Sequence, residues 1–322
     1  MIKKDMKTAA ALLFTIALST SLIGCSASSD TPAASGEPDA GDSVTIGFIN
    51  GANNEWGTCL QKGVEDEASA EGVDLIVANS DTDPAKEIAN VEDMISRDVD
   101  AIVLNTVSVD ALAGGIERAA AAGVPLYLVA VVPEDLTDIL GATVVDLGGV
   151  GATAAGWIGE DAGDADVTVG VIAGAPGAAS DYVVGGFTGA LPATVEVVAN
   201  QPGMFNRAKA QEVAENMIQA DPDLDYAFVL NEDMAFGARA AFDAAGRADL
   251  QIVTLNGTEP GLQAVEDGQF SATVSDSAFQ LGAESLGHTI ALLADPNGEK
   301  IFQKPTTLIT KDNIADATPF CG

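Results

Sequence analysis

From residue 44 onward, short runs of consecutive apolar residues alternate with longer stretches in which apolar positions recur every three or four residues. The short runs at 44–49, 73–77, 101–104 and 126–129 predict strands, and the stretches 55–70, 84–97 and 108–122 between them predict helices. The alternation resumes after Pro133, with strands expected at 167–173, 195–199, 226–230, 251–255 and 272–274, and a last helix over 280–293. A unit of roughly 25 to 30 residues is what a βαβ crossover requires. Strands that are apolar on both faces belong in parallel sheets covered by helices, so two α/β lobes of similar size are expected.

The run YAFVLNEDMAFGARAAF (226–242) places Asn231, Glu232 and Asp233 where a buried strand gives way to a helix. Ligands of open α/β sheets sit outside the carboxyl ends of the strands. Polar residues recur at such ends in both halves: Asn50 to Asn54, Asn105, Asn231, Asn256 and Asp276. Capping of the following helices explains any one of them. It explains less well why uncharged amides recur in both halves, which points to a binding cleft.

Composition narrows the partners. Asp and Glu number 48 against 14 Lys and Arg, giving a formal net charge of -34. Such a field repels nucleic acid and anionic membrane surfaces, and otherwise indicates only a solubilising acidic surface. Residues 1–24 read as a secretory signal: Lys3, Lys4 and Lys7 precede an apolar stretch and a small-residue end. Leu22-Ile23-Gly24-Cys25 resembles the lipobox of bacterial lipoproteins, which makes Cys25 the expected lipidation site, with an ordinary cleaved signal as the alternative. Residues 25–43, rich in Ser, Pro, Gly and Asp, read as a flexible tether. An exported chain also permits Cys59 and Cys321 to pair, or to remain as two free thiols.

Catalytic and metal chemistry find little support. The single histidine, His288, lies within the last predicted helix, and the three cysteines are too dispersed for a metal-ligand pattern. Gly149-Val150-Gly151-Ala152-Thr153-Ala154 matches a loose dinucleotide fingerprint, but no acidic residue lies near the expected offset on the next strand unless Asp166, just before it, is counted. Close helix packing is the better reason for those small residues. Neither cofactor nor metal is expected.

The run IGFINGANNEWGTCLQKGVEDEASAEGVDLIVANSDTDPAKEIANVEDMISRDVDAIVLN resembles the first lobe of the ribose and galactose type periplasmic solute-binding proteins that serve ABC importers. The likeness extends to about Asp312 through GMFNRAKAQEVAENMIQADPDLDYAFVLNEDMAFGA and VTLNGTEPGLQAVEDGQFSATVSD. It implies two Rossmann-like lobes with parallel sheets, joined by three hinge segments near Val145, Asp276 and Pro305. The lobes then comprise residues 44–145 with 277–305, and 146–276 with 306–312, leaving 313–322 as a tail. By the same resemblance Trp56 and Phe205 cover a ligand with aromatic faces, Asn54, Asn231, Asn256 and Asp276 contact it, Arg207 follows in the same turn as Phe205, and Asp181 stands where many relatives have an arginine. One departure is plain: Ala130-Val131 stands where ribose-type relatives carry an Asp-Arg pair. The implied protein is a non-enzymatic, lipid-anchored, extracytoplasmic monomer that delivers a small solute, a sugar or polyol, to ABC permease subunits. A sensory module presenting its closed form to a receptor is the alternative, and an extracellular enzyme on the same fold a weaker third.

Overall fold

A computed structural model describes residues 43–322. The expected signal, the lipidation site Cys25 and almost all of the tether lie outside the described residues.

The chain begins with β1 (Thr45–Asn50), α1 (Glu55–Glu71), β2 (Asp74–Asn79), α2 (Pro84–Ser96), β3 (Ala101–Asn105), α3 (Val109–Ala122), β4 (Leu126–Ala130) and β5 (Gly141–Val145). It continues with α4 (Leu147–Ala162), β6 (Val167–Ala173), α5 (Ala178–Ala190), β7 (Val195–Pro202), α6 (Arg207–Ala220), β8 (Tyr226–Val229), α7 (Glu232–Ala244), β9 (Gln251–Asn256), α8 (Glu259–Glu266) and β10 (Ala272–Ser275). Last come α9 (Ala278–Ala294), β11 (Ile301–Lys304) and β12 (Thr307–Thr310).

Two six-stranded sheets result, ordered β11-β5-β4-β3-β1-β2 and β12-β10-β9-β8-β6-β7. All pairings in the first are parallel, and in the second only β12 runs antiparallel, against β10. Residues of β3 and β8 are buried throughout, as strands covered on both faces must be. The chain passes between the sheets after β5, after β10 and between β11 and β12, because α9 packs on α1 while β12 returns to the second sheet.

Close backbone contact between helices explains the glycine pattern in α4. A Cβ on Gly151 would lie 2.0 Å from the Val183 carbonyl oxygen of α5, and one on Gly186 would lie 2.0 Å from that of Gly148. Small residues therefore serve helix packing, as the sequence suggested. His288 is half-buried between α9 and the first sheet, stacked on Phe302 with ring centres 3.5 Å apart and within 3.3 Å of the Thr143 hydroxyl. Its burial depresses its pKa, and it is a packed residue.

Cys59 of α1 is disulfide-bonded to Cys321 of the C-terminal tail, with Cα atoms 4.9 Å apart. The bridge is packed with Trp56, Ala278 and Phe320.

Candidate functional site

Both sheets share one strand order, β2-β1-β3-β4-β5 and β7-β6-β8-β9-β10, which reverses direction between the first and third strands of each set. Crevices open at such reversals, at the carboxyl ends of the strands. In the first lobe these are the ends of β1 and β3, and in the second those of β6 and β8.

At the end of β1 the chain is drawn tight. Asn50 donates from Nδ2 to the Gly57 carbonyl at 2.9 Å and accepts from the Ala52 amide at 3.1 Å. A Cβ on Gly51 would lie 2.5 Å from the Asn105 carbonyl oxygen, so only glycine lets this loop lie against the end of β3. Asn54 caps α1, accepting from the Gly57 amide at 3.0 Å through Oδ1, which leaves its Nδ2 for a ligand. Trp56, the second residue of the helix, is half-buried.

Asn105 ends β3 at 7 % exposure, and its Nδ2 has no hydrogen-bond partner. A buried amide donor left unpaired costs about 1 to 3 kcal/mol, which a bound acceptor would offset. The sequence marked Asn105 as a strand-end amide, yet the resemblance did not bring it into the contact set. Nearby, β4 ends in a tight turn: Ala130 has φ 69°, and the Val131 amide donates to the Val129 carbonyl at 2.9 Å. The first lobe therefore presents an apolar lip here.

In the second lobe, Met204 and Phe205 both adopt positive φ, 61° and 51°, between a Gly203–Ala173 bond of 2.7 Å and an Asn206–Gly203 bond of 3.0 Å. Two successive left-handed residues make a tight reversal that bulky side chains rarely adopt. It lays the Phe205 ring over Gly174, where a Cβ would lie 2.1 Å from ring atom Cζ. Asn231 is buried and caps α7, with Oδ1 accepting from the Met234 amide at 2.8 Å. Asn256 ends β9 at φ 123° and is half-exposed.

Asp276 lies at the crossing after β10. Burial pushes its carboxyl up to about 6, against the opposing pull of the Trp56 indole N–H and the Lys304 charge. Trp56 belongs to the first lobe, so this contact spans the cleft. Ser275, beside it, has a buried hydroxyl without a partner.

Two expected contacts are placed less centrally. Arg207 starts α6 exposed at the rim, its Nε 2.9 Å from Asp233 Oδ1 and its guanidinium 5.1 Å from the Phe236 ring centre. Asp181 is exposed in the first turn of α5. That helix is capped by Gly177, φ 148°, where a Cβ would be 3.7 Å from the Val107 carbonyl oxygen of the first lobe.

The trio Asn231-Glu232-Asp233 thus has three distinct placements. Asn231 caps, Asp233 holds Arg207, and Glu232 turns inward to 1 % exposure. Burial raises the Glu232 pKa while hydrogen bonds from Thr258, Thr273 and Gly257 oppose the rise. The inward turn of Glu232 was not expected, since an acid in a first helical turn ordinarily faces water and the helix dipole.

A surface hollow lined by Asn50, Asn53, Thr58, Gln61, Lys62 and Asn79 lies beside α1 and includes none of the second-lobe residues. Among the described residues no group of three or more His, Cys, Asp or Glu could hold a metal ion.

Residues 46–298 match the family described as periplasmic binding protein domain. The chain is 30 % identical to the ribose import binding protein of Escherichia coli strain K12 over 304 residues, covering 93 % of this chain and 96 % of that protein. It is 28 % identical to the xylitol-binding protein of Mycolicibacterium smegmatis, covering 79 % and 73 %. Among solved structures, the periplasmic binding protein component of the arabinose ABC transporter from Shewanella sp. ANA-3, bound to L-arabinofuranose, superposes with a TM-score of 0.79 at 26 % identity. That match covers 84 % of this chain and 93 % of the other.

Proposed function

The chain belongs to the periplasmic binding protein family, and on that premise we propose that it is the extracytoplasmic solute receptor of an ABC importer, enclosing a sugar or polyol between its two lobes. The observation that carries this reading is the recurrence of neutral amides at or just beyond strand ends in both lobes, together with the Trp56–Asp276 hydrogen bond. Asn54 and Asn105 come from the first lobe and Asn231 and Asn256 from the second, with the Asp276 carboxylate at the crossing bonded to Trp56, and the Phe205 ring lying over Gly174 at the end of β6. Amides offer both donors and acceptors to hydroxyls, and aromatic faces cover C–H surface, which is the chemistry a neutral polyhydroxylated solute needs. Relatives named for ribose, xylitol and D-allose fall within this chemistry.

Lobes of residues 44–145 with 277–305 and of 146–276 with 306–312 close by bending at the segments near Val145, Asp276 and Pro305. Closure adds burial and hydrogen bonds only when solute is present. Arg207 and Asp181 serve at the rim, and the binding unit is a monomer. Cys25 carries the lipid that holds the protein at the membrane, so Cys25→Ala moves it to the soluble fraction.

Mass spectrometry of small molecules retained by the purified protein, followed by calorimetry with D-ribose, D-allose, L-arabinose, xylitol and myo-inositol, tests the reading. Binding of one at micromolar Kd or tighter is expected. Retention of a compound without hydroxyl groups, with no response to any of the five, would refute the solute class.

A further inference from the structure

Two carboxylates, one per lobe, are buried to 1 % exposure and bonded to neutral donors of a loop that follows a strand-ending asparagine. We propose that Glu87 and Glu232 are both positioning residues, alike in chemistry, which hold the backbone just beyond Asn105 and Asn256 so that both amides meet the solute at fixed places. The proposal rests on the solute-binding reading above and adds to it what aligns the contacts.

In the second lobe, α7 leads into β9, and β9 ends at Asn256. Glu232 on α7 reaches the loop beyond that end. Its Oε1 accepts from the Gly257 amide at 2.9 Å and the Thr273 hydroxyl at 2.8 Å. Its Oε2 accepts from the Thr258 amide at 2.8 Å and the Thr258 hydroxyl at 2.5 Å. The Thr258 hydroxyl also accepts from the Gly261 amide at 3.1 Å, so its own proton is left for Glu232. Four donors on two oxygens require an acceptor on both sides, which a carboxylate supplies and an amide does not. Space is equally committed: a Cβ on Gly261 would lie 2.0 Å from the Glu232 carboxyl carbon.

The first lobe uses like chemistry on a different strand, since β3 corresponds to β8 in the shared order and not to β9. Helix α2 leads into β3, β3 ends at Asn105, and Glu87 on α2 reaches past that end. Its Oε1 accepts from the Thr106 hydroxyl at 2.8 Å and its Oε2 from the Val107 amide. In each lobe the carboxylate touches not the asparagine but the residues after it. Asn256 needs such a hold, because φ 123° is a backbone state that a non-glycine residue keeps only when its surroundings impose it. Asn105 needs it because its unpaired Nδ2 must be aimed at an acceptor that the protein does not provide.

The test compares wild type with Glu87→Gln and Glu232→Gln by hydrogen exchange and by calorimetry. The probe is whichever of D-ribose, D-allose, xylitol and myo-inositol binds wild type most tightly. Whichever way the amide introduced by Glu232→Gln is turned, the Gly257 or Thr258 N–H faces an NH2 group. Faster exchange is expected at 257–259 in that variant and at 106–108 in the other, with Kd weakened roughly 10- to 100-fold. Glu232→Gln placed on Asn256→Ala, and Glu87→Gln placed on Asn105→Ala, are each expected to add less than about threefold, because the asparagine through which the carboxylate acts is gone. Unchanged exchange, unchanged Kd or fully additive losses would overturn the proposal. If either glutamine substitution unfolds the protein, Thr106→Val and Thr273→Val each remove one hydroxyl donor from the same carboxylates and are expected to weaken Kd about two- to fivefold by the same route; no change in either overturns it. A wild-type protein that binds none of the four solutes sinks the solute class instead, and exchange at the two loops then decides whether the carboxylates hold them.

Discussion

Cys59 in the first-lobe helix α1 is bonded to Cys321, which lies beyond β12 of the second sheet. The C-terminal tail that carries Cys321 is also held by Ser277, whose hydroxyl donates to the Pro319 carbonyl at 2.6 Å, and by Phe279, whose amide donates to the Phe320 carbonyl at 3.2 Å. The disulfide therefore closes a fourth covalent link between the lobes, in addition to the three chain crossings.

Reduction is expected to lower stability by about 2 to 5 kcal/mol, since the bridge restrains a very long loop in the unfolded chain. Thermal unfolding with and without reductant measures this, and Cys321→Ser supplies a protein insensitive to reductant. Equal transitions for reduced and oxidised wild type would show that the bridge contributes nothing.

Asp276 gives stability a pH dependence whose sign follows from its surroundings. Its folded-state pKa is raised from 3.8 to about 6, so the neutral form is the better tolerated one in the cleft. The stability this supplies is fully present below pH 3.8 and is lost as pH rises through 6. Asp276→Asn removes the ionisation, so above pH 6 the variant is expected to exceed wild type by on the order of 1 to 3 kcal/mol. Chemical denaturation of both proteins at about pH 4 and about pH 8, on either side of the raised pKa, isolates this group from the other carboxyls. A difference independent of pH would contradict the assignment of burial as the cause.

Phe205 depends on Gly174 for its place. A methyl at position 174 would lie 2.1 Å from the ring, so Gly174→Ala must displace Phe205 from the end of β6. If Phe205 covers the solute, Kd should weaken about tenfold, with stability falling by about 1 to 3 kcal/mol from overpacking. Calorimetry and thermal unfolding on the same sample separate the two. Stability loss with unaltered Kd would remove Phe205 from the site.

The alternation of apolar runs and helical periods was enough to read the two lobes, because strands such as β3 and β8 are buried on every residue. Three strands were not read. Segment 141–145 is a strand because β4 and β11 flank it, although Gly141, Ala142 and Thr143 carry a weak local signal. Strands β11 and β12 are four residues each and are fixed by the chain's return across the lobes. Strand β7 continues through polar residues to Pro202 because it is an edge, where one side needs no ladder partner.

For the candidate site, the strand-end amides were legible from their position alone. What escaped the sequence was pairing at long range: Glu232 finds its partners at Gly257, Thr258 and Thr273, and no local period announces them. The backbone of Met204 and Phe205 was hidden for a similar reason, since neither residue type signals a left-handed turn.

Selectivity follows from what each lobe offers. At the end of β4 the apolar Ala130 and Val131 stand half-exposed, so hydroxyls on that side of a solute lose the paired, charged partners that ribose-type relatives were expected to supply. On the proposed reading the first lobe offers a solute the Asn54 and Asn105 amides, the second would supply Asn231 and Asn256, and Asp276 would accept from the crossing. Discrimination should therefore rest on the second lobe and the crossing. Asn231→Ala or Asp276→Ala leaves a solute hydroxyl unpaired in a closed cleft, at about 1 to 3 kcal/mol each. D-Ribose should bind more weakly than a solute that presents fewer hydroxyls toward Ala130 and Val131. Restoring charge with Ala130→Asp and Val131→Arg together should favour D-ribose over its competitors. Calorimetry with the same solutes on wild type, the two alanine variants and the double substitution measures all three effects. Tight D-ribose binding by wild type that survives Asn231→Ala would show that neither the second-lobe contacts nor the apolar lip sets the preference.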